Sequence, residues 1–488
     1  MLPYQTLINI DRTLAVPLYL QISNSFISLI KQGILKPTDA LPSTRKLADL
    51  ILINRNTANL AYEELISQGW AESIDRKGIF VTELLPEVSK KDAENSPAPN
   101  QPKSGFLWEN KFIDIVPVHN LQKHNLAIDG GFPDVRLAPI DYLMTEYRSI
   151  SKRFYGKSFL KYGTPKGCEN LRKSISKYLS VTRGLSSVPE NIIITKGSQM
   201  GLYLVAQTLI DPGDIVAVGN SNHRSTDATF KLCKANLLRI PIDENGMDID
   251  YLENELQNKT IKAVYIIPHH HFPTTVTLNF DRRSKLLKLA KEYSFAIIED
   301  DHDFEFHYEG NIHLPLATRD TNDNVIYIGS FSKTLAPSIR IGFLIGPKKF
   351  IDAAAALRNL VDRQGDTLTE EALSALFNNG EIDRHFRKAI KIYRERRNIF
   401  CNILSTEFDD LIDFEAPKGG LAVWTTFHQS INIAKVSDIA SKKGLYLFED
   451  SCYKNESFNP NSLRMGFASL EVNEMANALE ILKNSITY

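Results

Sequence analysis

Six short runs of apolar, mostly β-branched residues recur after residue 126, and they constrain the fold of this chain more than any other feature. Most are separated by segments long enough for a helix. Strands buried on both faces of a largely parallel sheet have this pattern, whereas half-exposed strands alternate polar and apolar residues. The runs are Ile192–Thr195, Ile215–Val218, Ala263–Ile267, Phe295–Ile298, Val325–Ile328 and Gly342–Ile345. They predict an α/β domain with a mostly parallel sheet.

A polar segment divides the chain into two regions. Residues 86–102 contain four prolines and few apolar residues, which favours an extended linker. Since 488 residues are too many for one ordinary core, we expect a separate domain on each side. We predict a first domain over residues 1–82, a linker over 83–125 and a second domain over 126–488.

Charge and cysteine content argue against a uniformly basic nucleic-acid-binding protein, a disulfide-stabilised protein and a zinc protein. The formal net charge is −1, so any contact with nucleic acid must come from a local surface rather than from the whole-chain balance. The four cysteines have no C-x-x-C spacing, which argues against a disulfide framework and a zinc site, and we expect no metal. With neither a signal peptide nor a membrane-length apolar run, the chain is expected to be soluble and cytoplasmic.

The first region has the pattern of three helices followed by a hairpin. Ser43 is a plausible N-cap for a short second helix over Thr44–Leu50, and Asn54 can cap a third helix that ends at Gly69. A short helix, a tight turn and a longer helix form a helix-turn-helix. Residues 74–81 are predicted to form a β-hairpin wing. On charge alone a plain three-helix bundle is equally open, because residues 1–82 hold eight basic and seven acidic side chains.

Three motifs of this region resemble the signature of GntR-type winged helix-turn-helix regulators: Pro17–Ile22, Leu41–Ala48 and Arg55–Leu65. The match covers almost the whole first domain. Leu52 departs from it, since the family usually has glycine in that turn. The resemblance implies two sets of DNA-binding residues, which are Arg45, Asn54, Arg55, Thr57 and Asn59 at the helices and Lys77 and Gly78 at the tip of the wing.

The second region carries three motifs in order. Residues 194–201 join a strand to a helix through Gly197 and small polar residues, which favours a phosphate at the helix N-terminus, although an ordinary turn explains this stretch equally well. Asp300 ends an apolar strand, where a carboxylate can keep a pyridine nitrogen protonated; an isolated acid there is more often a helix cap or a loop ion pair. Lys333 follows the next strand. Lys333 can form an imine, and Ser330 and Arg340, which stand before and after it in the sequence, can hold a phosphate.

This ordered series resembles fold-type I pyridoxal-phosphate (PLP) enzymes of the aspartate aminotransferase group over residues 126–488. With the N-terminal motifs, the chain resembles the MocR subfamily of GntR regulators. The resemblance implies that Lys333 bears the internal aldimine and that Asp300 pairs with the pyridinium. Tyr162 would reach the phosphate of a neighbouring subunit, and Arg464 would hold an effector's carboxylate. The remaining cofactor-binding residues would be Gly197, Ser198, Gln199, Ser330, Ser332 and Arg340.

Three positions depart from the family pattern. His302 stands where the subfamily commonly has a tyrosine near the phenolic oxygen of PLP, and His223 stands where a tyrosine usually stacks on the ring. Phe272 replaces the asparagine of true aminotransferases. We expect both histidines to bind the cofactor still, and transamination to be impaired. The run His269–His271 is expected to line the pocket rather than to bind metal, because consecutive side chains of an extended segment point to alternating sides.

The main functional prediction is a PLP-dependent DNA-binding transcription regulator. It would act on a double-stranded operator as a homodimer and sense an amine, an amino acid or PLP itself. The alternative is a catalytically active aminotransferase with an accessory N-terminal domain, which steady turnover without operator binding would favour. A third possibility is a plain GntR repressor whose large domain has lost PLP, which a colourless protein after incubation with PLP would favour.

Overall fold

The structure is a computed structural model, and it describes residues 3–8, 10–12, 16–75, 77–86, 126–310, 312–448 and 453–486. The chain divides into two compact units, Met1–Glu109 and Asn110–Tyr488. Most of the expected linker, residues 87–125, lies outside the described residues, so the domain bounds of the sequence analysis stay a prediction.

The first unit contains the expected helices and hairpin. The two strands pair antiparallel, with Ala71 opposite Val81, so the hairpin begins three residues before its expected start. Its elements are α1 (Tyr4–Leu7), α2 (Leu18–Lys31), α3 (Thr44–Ile51), α4 (Arg55–Ser67), β1 (Ala71–Ile74) and β2 (Gly78–Val81).

Side-chain caps set the helix ends of this unit. The Ser43 hydroxyl accepts the Lys46 N–H at 3.3 Å, and the Asn54 side chain accepts the Asn56 N–H at 2.9 Å. Gly69 follows α4 with φ of +76°, a left-handed conformation that glycine adopts without strain. Leu52, in the turn between α3 and α4, also has a positive φ, of 55°. The caps predicted from sequence are confirmed, and the turn does require the conformation for which glycine is usual.

The second unit is built on a seven-stranded sheet. Its helices are α5 (Ile140–Lys152), α6 (Glu169–Arg183), α7 (Ser198–Leu209), α8 (Arg224–Leu232), α9 (Ile249–Leu256), α10 (Phe280–Tyr293), α11 (Leu316–Arg319), α12 (Lys348–Val361), α13 (Thr367–Asn378), α14 (Glu381–Glu407), α15 (Ile433–Lys442) and α16 (Val472–Ile486). Its strands are β3 (Leu126–Ile128), β4 (Ile192–Thr195), β5 (Ile215–Gly219), β6 (Asn236–Ile240), β7 (Ile242–Asp243), β8 (Gly246–Met247), β9 (Ile261–Ile266), β10 (Ala296–Asp301), β11 (Val325–Ser330), β12 (Gly342–Ile345), β13 (Ile412–Phe414), β14 (Ala422–Phe427), β15 (Leu445–Leu447) and β16 (Ser462–Gly466).

The strand order of the large sheet is β4-β12-β11-β10-β9-β5-β6. All pairings are parallel except those of β12, which runs antiparallel to β11 and β4. The six apolar runs of the sequence are all strands of this sheet, and the expected α/β fold with a mostly parallel sheet is confirmed. The seventh strand, β6, lies at the edge.

A smaller antiparallel sheet, β13-β14-β16, has a hydrophobic core of its own. Leu463 and Met465 of β16 are buried in that core together with Tyr393 and Phe400 of α14. Apolar side chains of β4, β9, β10 and β11 belong to other clusters, which cover the large sheet. The second unit therefore contains a seven-stranded and a three-stranded sheet, each with buried clusters, and two further two-stranded sheets, β15-β3 and β7-β8. Trp424 of β14 also packs against a cluster of the large sheet.

Neither a membrane helix nor a metal-binding cluster is found in the part of the chain that the structure describes. No described helix is both long and apolar enough to cross a membrane. No described group of three or more His, Cys, Asp or Glu side chains could hold a metal ion. Cys168, Cys233 and Cys401 are buried free thiols, and Cys452 lies outside the described residues.

Candidate functional site

Two neighbouring strands of the large sheet carry the central residues of the site. Asp300 of β10 lies opposite Ile328 of β11, and Lys333 follows the end of β11 by three residues. Because the two strands are parallel, their carboxyl ends meet at one edge of the sheet, where α/β proteins bind ligands. The structure thus brings together the carboxylate and the lysine that the sequence singled out.

Asp300 is a buried carboxylate with one oxygen bonded and one free of partners. Its Oδ2 accepts the Tyr265 hydroxyl at 2.7 Å, whereas Oδ1 has no hydrogen-bond partner among the described residues. Burial raises the pKa of Asp300 to about 6, against the lowering effect of the Tyr265 bond. A cationic N–H at Oδ1 would satisfy the orphan oxygen and favour the charged form. Sequence reasoning missed Tyr265, whose signal is a phenol within an apolar strand, β9.

Lys333 lies among charges of both signs. Burial lowers its pKa to about 8, and Arg464 acts in the same direction. Asp303, Asp300 and Asp129 oppose that shift. A lysine with this pKa is about one tenth neutral amine at pH 7, far more than an unperturbed lysine, and nucleophilic attack on a carbonyl requires the neutral form.

The turn before α7 lies against Arg340. Gly197 has φ of 79°, and a Cβ there would lie 2.9 Å from Arg340 Nη2, so the guanidinium packs directly on the glycine backbone. Ser198 begins α7 and leaves its first N–H groups facing this region. The Ser330 hydroxyl accepts the Ser332 N–H at 3.2 Å, while the Ser332 hydroxyl is buried without a partner among the described residues. This is a cradle suited to an anion.

Two further residues of the expected cofactor set are already engaged. The Gln199 amide donates to Thr229 Oγ1 at 2.8 Å, and its oxygen accepts the Ser225 hydroxyl at 3.0 Å. His223 caps α8, and its ring centroid lies 4.8 Å from that of Phe272. These contacts fix both side chains beside the phosphate cradle.

Arg464 of β16 is buried with one nitrogen unsatisfied. Its Nε donates to the Gly130 carbonyl at 2.8 Å and its Nη1 to the Pro273 carbonyl at 2.9 Å. Nη2 has no hydrogen-bond partner among the described residues. Burial lowers the pKa of Arg464 to about 10, with Asp303 and Asp129 opposing the shift. A carboxylate is the group that such a fixed, desolvated guanidinium recognises.

The three consecutive histidines point to three different partners. His269 Nε2 lies 2.6 Å from the His313 carbonyl oxygen, His270 Nδ1 lies 2.9 Å from Asp303 Oδ1, and His271 Nδ1 lies 2.9 Å from Thr274 Oγ1. His270 therefore belongs to the site through Asp303, which sequence reasoning did not single out.

Tyr162, the residue expected to reach a neighbouring subunit, lies on the surface. Its side chain is 80% exposed, and the Arg363 guanidinium lies 4.6 Å from its ring centroid. An exposed tyrosine is available for contact with a second subunit.

The expected DNA-binding residues are on the surface of the first unit. Arg55 and Asn59 of α4 are four residues apart and share one exposed face of that helix. Arg45 of α3, Asn54, Lys77 and Gly78 are also exposed, and Thr57 is half-buried.

The residues of the second unit fit a phosphorylated pyridine aldehyde. Among the buried polar atoms that lack partners within the described residues are Asp300 Oδ1, Ser332 Oγ and Arg464 Nη2. A pyridinium N–H suits the first, a phosphate suits the second together with the Gly197–Arg340 cradle, and a substrate carboxylate suits the third.

Comparison with known proteins gives two family matches. Residues 18–81 match the bacterial regulatory proteins of the gntR family, and residues 133–482 match aminotransferase class I and II. The second match spans most of the chain and includes Lys333, Asp300 and Arg464.

The chain belongs to the aminotransferase class I and II family.

Relatives differ in how much of the chain they cover. The "Probable rhizopine catabolism regulatory protein MocR" of Rhizobium meliloti is 24% identical over 480 residues, which are 98% of this chain and 95% of the relative. "Aromatic-amino-acid aminotransferase 1" of Thermococcus litoralis is 29% identical over 366 residues, 74% of this chain and 88% of the relative. A crystal structure of kynurenine aminotransferase from Pyrococcus horikoshii has 29% identity and a TM-score of 0.69, covering 75% of this chain and 92% of its own.

The regulator matches along the full length, including the DNA-reading module, whereas the aminotransferases match about three quarters of the chain. The protein is therefore a MocR-type regulator, in which a GntR-type helix-turn-helix is fused to a PLP-dependent aminotransferase-like domain. The helix-turn-helix of this MocR-type regulator makes DNA its partner, and domains of its aminotransferase type are typically dimeric.

Proposed function

We propose that this regulator holds PLP at Lys333 and responds to an amino-group effector that carries a carboxylate. In the proposed division of labour, residues 1–82 read the operator and residues 126–488 bind cofactor and effector in a cytoplasmic homodimer. The observation that carries the proposal is the set of orphan polar atoms around Lys333, in a chain that also has exposed basic residues on the two helices of its helix-turn-helix.

The cofactor would be held by contacts of three kinds. Asp300 would pair with its ring nitrogen, while Gly197, Ser198, Ser330, Ser332 and Arg340 would bind its phosphate. His223 would stack on the ring, with Gln199 packed beside it. When bound, PLP supplies an aldehyde that Lys333 or an incoming amine can attack, and a ring that withdraws electrons. Tyr162 would complete the phosphate site of the other subunit, which its exposure supports.

The effector would be recognised at both of its ends. Its amine competes with Lys333 for the cofactor, and its carboxylate binds Arg464 Nη2. Both groups lie in the second unit, so binding is available to a molecule that spans from the lysine to the arginine. Regulation then follows from a difference in effector affinity between arrangements of the protein that do and do not favour operator binding.

An absorbance titration combined with DNA binding tests this function. Purified full-length protein is titrated with PLP and then with a panel of amino acids and of amines without a carboxylate. Binding to the region upstream of its own gene is measured in parallel. We expect a visible band with PLP, a spectral shift with a subset of amino acids, and a change of operator affinity with the same subset.

Two outcomes would contradict the proposal. A protein that stays colourless with PLP yet binds its operator would be a plain GntR regulator. Multiple turnovers with an amino donor and a keto acid, without any operator binding, would make it an aminotransferase. Phe272 favours the regulator, because it replaces the asparagine of true aminotransferases, and a lost transition-state contact reduces rates by about 10²–10³.

A further inference from the structure

Two orphan polar atoms of the site face each other. His302 Nε2 and Asp303 Oδ2 are 3.7 Å apart, and neither has a hydrogen-bond partner among the described residues. The Asp303 side chain is buried, with 1% exposed, and the His302 side chain is largely buried, with 11% exposed. The distance is slightly longer than a hydrogen bond, and catalytic hydrogen bonds are often long in ligand-free structures. None of the contacts proposed for the cofactor or the effector satisfies this carboxylate oxygen.

A second histidine holds Asp303 in place from the other side. His270 Nδ1 lies 2.9 Å from Asp303 Oδ1, and both side chains are buried. Two consecutive glycines close this wall of the site. A Cβ on Gly419 would collide with His270 Nε2, and one on Gly420 would lie 3.1 Å from His270 Cγ. The backbone at Gly419 and Gly420 therefore packs directly against the His270–Asp303 pair. The Asp303 carboxylate cannot turn away from His302 unless this backbone segment moves.

We propose that Asp303 and His302 form an acid–base dyad beside Lys333, with His270 as the residue that positions the carboxylate. In this arrangement the His302 imidazole keeps its proton on Nε2, directed at Asp303. The Nδ1 lone pair is then left as the proton acceptor of the ring. The dyad rests on the proposed function, because the proton that it accepts comes from an incoming amine.

Electrostatics keep the imidazole in the neutral form that the dyad requires. Burial lowers the pKa of His302 to about 3, and the charges of Lys333, Arg464 and His270 act in the same direction, opposed by Asp303. Burial alone would raise the pKa of Asp303, but His270, His302 and Lys333 hold it below its usual range. A neutral imidazole offers one donor and one acceptor, so the facing carboxylate selects the tautomer.

The proton balance is simple. An effector amine arrives as an ammonium ion and must lose a proton before its nitrogen can act as a nucleophile. One N–H bond of the ammonium breaks, and the proton forms a new bond to His302 Nδ1. Because the pKa of His302 is about 3, the imidazolium is a short-lived carrier of this proton, and the Asp303 carboxylate facing Nε2 lowers its energy. Lys333, when released as an amine, takes the same proton back. The tyrosine common at this position has a pKa near 10 and is a donor at neutral pH, so it cannot accept this proton.

The tautomer of His302 tests the dyad without reference to activity. Full-length, cofactor-free protein labelled with ¹⁵N-histidine is sedimented and examined by magic-angle-spinning NMR. The His302 signals are identified among the eleven histidines as those lost in His302→Gln. We expect a neutral ring protonated at Nε2, and a loss of that preference in Asp303→Asn. A ring protonated at Nδ1 in the wild type, or the same tautomer in both proteins, would overturn the proposal.

Kinetics of amine exchange give a second readout. On PLP-loaded protein, the rate at which a saturating amino acid shifts the cofactor band is measured against pH. Loss of general base catalysis typically costs 10²–10⁴ in rate, so Asp303→Asn should slow the exchange at pH 7 by at least tenfold and make it depend more steeply on pH. His270→Gln should give a smaller effect of the same kind. Unchanged pH profiles in both variants would refute the dyad.

Asp301→Asn is the matched control for both measurements. It removes the same charge two residues earlier in the chain, at the end of β10, but the Asp301 carboxylate accepts the Tyr327 hydroxyl and lies 3.5 Å from Arg183 Nε. We expect its His302 tautomer and its exchange profile to match the wild type. A protein without any PLP band would contradict the proposed function while leaving the NMR result to decide the dyad.

Discussion

Replacing Asp300 with asparagine should stabilise the cofactor-free protein at pH 8 while weakening its hold on PLP. The carboxylate is buried, and burial raises its pKa from the ordinary value of 3.8 to about 6. Asparagine has nearly the same shape, and its side-chain oxygen can still accept the Tyr265 hydroxyl. The substitution therefore removes a buried negative charge with little change in packing.

The magnitude follows from linkage between proton binding and folding. Between about pH 4 and pH 6 the folded protein keeps a proton on Asp300 that the unfolded chain has lost. The free energy of unfolding of the wild type therefore falls as pH rises through this window and stays lower above it. A shift of about two pKa units corresponds to about 3 kcal/mol, which is an upper limit for the gain in Asp300→Asn. For a domain of this size that is about 4 °C in melting temperature.

Differential scanning fluorimetry at several pH values, with and without PLP, measures both effects. Without cofactor, the variant should melt above the wild type at pH 8 and together with it near pH 4. With saturating PLP the order should reverse, because the wild type gains the pairing of Asp300 with the pyridinium. A cofactor-free variant that melts below the wild type at pH 8, or a difference that does not change with pH, would refute this reasoning.

Three further predictions concern other parts of the chain. Leu52→Gly should raise the melting temperature of the first unit, because φ of 55° costs leucine about 1–2 kcal/mol. The larger conformational entropy that glycine loses on folding offsets only about 0.5–1 kcal/mol of that gain. Leu52→Ala, which keeps a Cβ, should show no gain. Lys333→Ala should abolish the visible PLP band while far-UV circular dichroism stays unchanged; a retained band would place the linkage on another lysine. If Arg55 contacts a phosphate, Arg55→Ala should reduce the salt dependence of the DNA-binding constant by about one charge. If Arg45 contacts a base, Arg45→Ala should weaken the free energy of binding to the cognate site by about 1–3 kcal/mol. Wild-type binding isotherms for both variants would argue against this DNA-binding surface.

The large sheet was predictable because parallel strands buried on both faces are continuous apolar runs. The edge strand β6 was not, since it includes Asn236 and Arg239, whose polarity breaks such a run. The same holds for β16, in which Ser462 and Arg464 are fully buried despite their polarity. Local caps such as Ser43 and Asn54 were predictable because their partners lie within three residues.

Contacts between residues distant in sequence explain what the motifs left out. Asp300 and Asp301 look equivalent in sequence, but alternation along β10 directs the first to Tyr265 and the second to Tyr327. The pairing of His270 with Asp303 joins residues 33 positions apart, which no local pattern specifies. Sequence motifs thus located the cofactor residues one by one, whereas the second layer of contacts depends on the tertiary structure.

The proposed effector would contact residues that two different sheets position. Lys333 is anchored to the seven-stranded sheet, and Arg464 is anchored to the three-stranded one. A molecule whose amine competes with Lys333 and whose carboxylate binds Arg464 would bridge the two sheets, and the distance between its two groups must match the distance between these residues. An amine without a carboxylate would interact only at the Lys333 end and would not bridge the two sheets. Comparing an amino acid with its decarboxylated counterpart therefore separates capture of the amine from mechanical coupling within the domain.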